Sequence, residues 1–322
     1  MPTAASRNGE VSAVPFPSTP STTDRPLAQL AVDCRCELGE GIVWDERDQA
    51  LLWTDIHGAR LWRHHPHNGA TQSWRLPDRL GSFALCDSGH LLLSLAKGLY
   101  LADLCASETN ERLAVQLLVA IDEHPTLRLN DGRTDRSGNF VFGTLNEAAD
   151  KHPIGRFYQY SARHGLRGLD LGGVAIPNSI AFAPDGRTMY YCDTRRGEIM
   201  VCSYHAERAQ TSMPRVFARV DAPAGPDGAT VDREGRLWSA HWGAGRVVCY
   251  GRDGTIEEEV AVPASNPSCP AFGGAGLDML YITTAREDSS AAQLEREPQA
   301  GGIFCAKVVG AVGLQEERFA GL

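Results

Sequence analysis

Four short stretches of this 322-residue chain set oxygen-bearing side chains just ahead of an apolar run. They are Glu40 in LGEGIVW, Asn130 and Asp131 in LNDGRTD, Asn178 in IPNSIAF and Asp227 in GPDGATVD. Carboxylate and amide oxygens of this kind suit a hard divalent cation, with water filling its remaining positions. Each stretch also has a plainer reading. Asp227-Gly228 reads as a turn, Asn178 after Pro177 as an Asx-turn, and Glu40 between two glycines as a solvated carboxylate. Placement at equivalent points of four repeats favours a shared site. The stretch LRLNDGRTDRSGNFVFGTL, from Leu127 to Leu145, is the most crowded. Asp-Gly marks a turn, and a solvated turn needs one polar residue where a site needs several. Arg128 precedes Asn130 by two residues, so both can face one side of an extended segment.

The elements that must carry these residues are strands. Six units repeat one pattern, starting near Gly41, Ser82, Asp131, Asn178, Asp227 and Pro270. Each has an apolar run, a polar turn of the Asp-x-x-Gly kind, a second apolar run, another turn and a third strand. The spacing of about 40–50 residues is that of propeller blades. Helical periodicity is not sustained, which argues against a parallel α/β sheet. The pattern predicts an all-β fold: a six-bladed β-propeller of four-stranded antiparallel blades. A single blade cannot bury both faces, so the ring must be one domain. Residues 28–322 are assigned to it and residues 1–27, rich in Pro, Ser and Thr, to a flexible tail. The sixth unit resumes with GGIFCAKV after EDSSAAQLEREPQA, which reads as a polar loop. In a propeller the innermost strands start near a central channel, so the four stretches can converge there.

Composition removes several classes. Net charge is -9 and no Lys/Arg cluster appears, so nucleic acid is not an expected partner. No apolar run approaches a membrane span, and the N-terminus lacks the apolar core of a signal peptide. The nine cysteines are scattered without metal-site spacing. Cys34 and Cys36, flanking Arg35 in an expected strand, look too close to bridge, and all nine read as free thiols of a reducing, cytoplasmic protein. A monomer or weak oligomer is expected. His64, His65 and His67 in RHHPHNG suggest zinc, but a solvated outer turn is the better reading. His241 and Trp242 in SAHWGAGR are better pocket candidates, with packing between blades as the alternative. Gly273–Gly276 lacks the Lys-Ser/Thr of a phosphate loop, and no G-x-S-x-G of a serine esterase occurs.

Taken in order, LGEGIVWDERDQALLWTDIHGARLWR, LRLNDGRTDRSGNFVFGTL, IPNSIAFAPDGRTMYYCDT, GPDGATVDREGRLWSAHWGAGRVVCY and CPAFGGAGLDMLYITTAR resemble successive blades of the SMP-30/gluconolactonase/regucalcin family. The resemblance runs from about Leu38 to Arg286. It implies a six-bladed propeller with one divalent metal ion in its channel and, in many members, hydrolysis of sugar lactones. By resemblance Glu40, Asn178 and Asp227 fall on the metal ligands, and Arg128 and Asn130 on substrate-contacting positions. The family's substrate-contacting acid after the "GT-L/M" segment aligns with Ala148. Glu147 beside it takes the role by a one-residue shift, or the contact is missing.

A lactone is a cyclic ester, so hydrolysis needs a polarised carbonyl, a water nucleophile and a stabilised oxyanion. A divalent cation supplies the first and third and acidifies water. Asp227 is the expected catalytic base. Arg128, Asn130, Glu147 and His241 are the expected substrate contacts. The substrate class is an aldonolactone such as gluconolactone, L-arabinonolactone or xylonolactone. The metal is one of calcium, zinc, manganese, magnesium or iron(II). The alternative is a regucalcin-like calcium-binding regulatory protein with little turnover.

Overall fold

A computed structural model describes residues 25–107, 111–121 and 124–321. The flexible-tail assignment falls mostly on residues 1–24, which lie outside the described residues. From Arg25 the chain already touches the body: Arg25 pairs with Glu259 at 2.6 Å, and Leu27 bridges Ala261.

Six four-stranded antiparallel sheets surround one axis, as the repeats predict. Their inner strands are Gly39–Asp45, Leu80–Leu85, Leu127–Thr134, Pro177–Phe182, Gly225–Val231 and Pro267–Gly273, here called blades one to six. Each inner strand packs on the next, and the sixth packs on the first, so the ring is closed. The fourth strand of blade six is not where the repeats end. It is Gln29–Val32 from the N-terminal side, paired antiparallel with Ile303–Lys307. The chain therefore closes its own ring by hydrogen bonds between its two ends. The polar segment before Ile303–Lys307 is not all loop, because Ala291–Arg296 forms a short helix. Ser290 caps it by accepting from the Gln293 amide at 3.2 Å.

Every blade is buried on both faces, which explains the near-continuous apolar runs. Strand residues alternate between two neighbours. In blade one Leu52 packs toward blade two, whereas Leu51 and Trp53 pack toward blade six. In blade five Leu237 faces blade four and Trp238 faces blade six. Six such interblade cores result, one per junction. Each fully buried Leu, Val or Phe in them stabilises the ring by about 1.5–3 kcal/mol. The Asp-x-x-Gly signature is an Asx-turn at the far end of the inner strand. Asp135 Oδ1 accepts from the Ser137 and Asn139 amides at 2.8 and 2.9 Å, and Gly138 supplies the positive φ of 78°.

The C-terminal residues cross these same turns. Gly313 donates to Leu277 O in blade six, Phe319 to Leu85 O in blade two and Ala320 to Gly138 O in blade three. Arg318 pairs with Asp45 and Glu46 of blade one, and Glu316 with Arg133 of blade three at 2.8 Å. This segment lies at the end of the ring opposite the starts of the inner strands.

Candidate functional site

At the other end, the inner strands of all six blades slip out of register with their second strands. The slips fall between Glu40 and Val43, Leu80 and Ser82, Leu129 and Gly132, Asn178 and Ala181, Pro226 and Ala229, and Pro267 and Pro270. Bulges of this kind re-aim side chains, and here they fall on the polar stretches. Gly41, after Glu40, has φ 57°, and Ser179, after Asn178, has φ 55°. A left-handed serine is uncommon, so blade four holds its Asn178 by accepting local strain that glycine spares blade one. Serines tie neighbouring blades together at every other junction, just behind the site. Ser82 donates to Asn130 O at 2.6 Å, Ser179 to Asp227 O, and Ser268 to Gly39 O. Ser82→Ala is expected to lower stability by about 1 kcal/mol, read as a reduced unfolding midpoint with unchanged secondary structure.

The anticipated residues are brought together. Glu40, Asn178, Asp227, Arg128 and Asn130 are all buried, at 4–8% exposure. Arg128 Nη1 donates to Asn130 Oδ1 at 2.6 Å. Asn130 Nδ2 donates to Asn178 Oδ1 at 3.1 Å and to Pro177 O at 2.9 Å. Asn178 Nδ2 donates to Thr194 Oγ1, which donates to Pro226 O, each at 2.9 Å. One chain of hydrogen bonds thus links blades three, four and five. Glu147 sits at its outer end, accepting from Arg128 Nε at 3.2 Å and from Arg79 Nη2 at 3.0 Å. Glu147 thus grips the Arg128 guanidinium from the rim.

Asp131, in the crowded stretch, adds a third carboxylate to Glu40 and Asp227. Its Oδ2 accepts from the Ile180 amide at 2.8 Å. Burial pushes Glu40 up to about 8, with repulsion from Asp131 adding to it. Burial likewise pushes Asp131 up to about 6. Asp227 is raised well above the usual carboxylate range by burial, then by repulsion from Glu40 and Asp131. The nearest cations are already engaged, Arg128 by Glu147 and Arg133 by Glu316. The donor set is oxygen only and carries surplus negative charge, which fits a hard divalent cation. The Asn178 Oδ1 uses one lone pair on Asn130 and keeps another. Among the described residues no group of three or more His, Cys, Asp or Glu is spaced as a metal site. Glu40, Asp131 and Asp227 therefore form no such group by themselves, and a ligand set of Glu40, Asp227 and Asn178 takes its third oxygen from an amide.

His241 lies on the second strand of blade five, opposite Pro226. It is 2% exposed, its Nε2 lies 3.0 Å from Tyr250 Oη, and its Nδ1 has no partner. Burial, then Arg246, lowers it to about 4, so it is neutral. It faces the interface of blades four and five. Trp242 packs instead on Leu38, Ile56 and Ala285, an apolar patch beside the start of the first inner strand. The histidine-rich stretch is not a solvated turn throughout. His64 and His65 end the strand Arg60–His65, and His64 is buried, 2.7 Å from Thr71 Oγ1. Glu287 was not foreseen. It binds His57 Nε2 at 2.9 Å, and its charge acts on Glu40, Arg128 and Asp227. It lies in a polar segment with no recurring partner in the other repeats, so no sequence signal marks it.

The chain has relatives among known proteins along most of its length. The chain is 44% identical to an L-arabinolactonase of Azospirillum brasilense, over 91% of this chain and 96% of that one. It is 36% identical to a 6-deoxy-6-sulfogluconolactonase of Pseudomonas putida, over 88% and 95%. The crystal structure of a calcium-binding protein, regucalcin, from Agrobacterium tumefaciens superposes with a TM-score of 0.84 at 28% identity, covering 92% of this chain and 98% of that one. The family model described as the SMP-30/gluconolactonase/LRE-like region matches residues 38–286, and this chain belongs to that family.

Proposed function

We propose that this protein hydrolyses a sugar lactone, opening an aldonolactone to the aldonic acid. The observation that carries the reading is the meeting of Glu40, Asp131 and Asp227 with the Arg128–Asn130 pair at one end of the channel. Glu40, Asn178 and Asp227 would hold one divalent cation. When bound, that cation supplies Lewis acidity toward the lactone carbonyl and toward water. Asp227 takes the proton of the attacking water, and its burial makes it a stronger base than an exposed aspartate. Arg128 and Asn130 orient the sugar by fixed donors, and Glu147 holds the guanidinium in place. The relatives named as lactonases support the substrate class, and the arabinolactonase favours a five-carbon lactone. The free thiols suit a reducing, cytoplasmic setting, and a monomer or weak oligomer is the proposed state. Among the described residues no helix is long and apolar enough to cross a membrane.

A calcium-binding role with little turnover is the second reading, supported by the likeness to regucalcin. The closed ring, with its strands packed around the whole circle, offers no evident two-state element for a sensor. Acid release from a panel of pentono- and hexonolactones, with the protein stripped and reloaded with calcium, magnesium, manganese, iron(II) or zinc, decides between them. Hydrolysis no faster than spontaneous opening under every metal overturns the enzyme reading. In the same assay Arg128→Ala should lose roughly 10–150-fold in kcat/KM, the worth of a charge-assisted hydrogen bond of about 1.5–3 kcal/mol. A variant within twofold of the parent shows that the arginine serves only the fold.

A further inference from the structure

Where the closing strand Gln29–Val32 hands over to blade one, the chain places two thiols in contact. Cys36 Sγ lies 3.5 Å from Cys34 Sγ. A fully extended chain would hold residues i and i+2 about 7 Å apart, beyond the usual span of a disulfide. This segment is not a strand. Arg35 has φ 51°, in the left-handed region, and that bend brings the two cysteines together. Read as part of a strand, the two cysteines look too close in sequence to bridge, and the left-handed bend at Arg35 removes that objection.

We propose that Cys34 and Cys36 form an oxidisable dithiol, a modification site that a hydroperoxide converts to an intramolecular disulfide. The two sulfurs are unequal. Cys34 is half-buried and within reach of a small oxidant, whereas Cys36 is fully buried. The Cys36 thiol donates toward Cys34 Sγ, so once the Cys34 proton leaves the Gly301 carbonyl, Cys34 is the sulfur stabilised as the thiolate. Cys34 thus attacks, and Cys36 resolves. The Cys34 thiolate attacks one peroxide oxygen, so an S–O bond forms and the O–O bond breaks. The departing hydroxide takes up the thiol's proton as water, leaving Cys34 as the sulfenic acid. Cys36 sulfur then attacks Cys34 sulfur. The S–S bond forms, the S–O bond breaks, and hydroxide leaves with the Cys36 proton as a second water. Two thiols lose two electrons, and one peroxide is reduced to two waters.

The surroundings say which sulfur moves. The Cys36 amide donates to Gly301 O at 2.8 Å. The next two amides, Glu37 and Leu38, donate to the Asp55 carboxylate at 3.2 and 3.1 Å. Cys34 lies outside the strand pairing, and besides its contact with Cys36 its sulfur is tied to Gly301 O at 3.2 Å. Ring closure therefore displaces Cys34 and leaves the segment leading to Glu40 in place. The inference does not depend on the reaction proposed for the channel.

The experiment exposes the full-length protein to hydrogen peroxide, alkylates the remaining thiols after denaturation and maps them by mass. Trypsin cuts after Arg35, between the two cysteines. The expected product is the loss of two hydrogens, with the fragments ending at Arg35 and starting at Cys36 joined until a reductant separates them. Cys105, exposed and alone, should stay alkylatable at peroxide doses that convert the pair. Cys36→Ser should stop at a Cys34 sulfenic acid that a dimedone reagent traps. Recovery of Cys34 and Cys36 both alkylated, at doses that already oxidise Cys105, overturns the proposal. So does a Cys36→Ser protein that is folded by circular dichroism but carries no sulfenic acid at Cys34.

Discussion

Asp227→Ala should lower kcat by about 10²–10⁴-fold at saturating cation, the usual cost of losing a positioned general base. The residue sits in blade five, buried, with its carboxylate facing the fields of Glu40 from blade one and Asp131 from blade three. Asp227→Asn separates two roles. The amide keeps an oxygen for the cation but cannot take a proton, so its turnover should fall nearly as far as that of alanine. Stability should move the other way. Removing one of three mutually repelling carboxylates relieves the metal-free protein, so both variants should melt no lower than the parent in chelator at neutral pH. That pairing of lost turnover with kept or raised stability is not what a damaged fold produces. An Asp227→Asn enzyme with kcat within tenfold of the parent at saturating cation would falsify the assignment of Asp227 as the base.

The ring itself was readable because its cause is local and repeated. Each blade must bury two faces, so each second strand is buried along nearly its whole length, and the polar turns recur for the same backbone reason. Closure was not readable. The pairing of Gln29–Val32 with Ile303–Lys307 joins segments from opposite ends, and nothing in AVDCRC announces a partner so distant. Five candidate residues, Glu40, Arg128, Asn130, Asn178 and Asp227, were legible because their repeats place them at one level of the ring. Glu147 was legible only as one of two options, since one residue's shift along a chain end changes which side chain reaches Arg128. The side to which His241 turns was not legible. The histidine stands on a strand that reaches the mouth, yet strand alternation turns it toward Tyr250 and leaves Trp242 on the other face. Asp131 was visible in the crowded stretch, but its effect depends on burial beside Glu40 and Asp227, which only three-dimensional proximity reveals.

Chelation should make the folded protein increasingly unstable as pH rises from about 5 to 8, and a divalent cation should remove most of that slope. Glu40 is pushed up to about 8, Asp131 to about 6, and Asp227 well above its ordinary range, in each case first by burial. In the unfolded chain all three titrate near pH 4. Over the window between, the native state holds protons that the unfolded state has released. Stability then falls as pH rises, because the native carboxylates must ionise against burial and one another. The contribution is fully present below about pH 4 and lost as pH passes the raised native values. A divalent cation replaces those protons, so its apparent affinity should increase with pH. At a cation concentration of 100 times Kd the gain is about 2.7 kcal/mol, a rise in Tm on the order of 5 °C for a chain of this size. Differential scanning fluorimetry across pH, with chelator and with each candidate metal, gives the curves directly. Glu40→Gln, which removes one raised carboxylate without changing shape, should flatten the chelator curve by itself. Coincident curves with and without cation at pH 8 would mean that the channel oxygens hold no metal, and the hydrolytic reading would lose its Lewis acid.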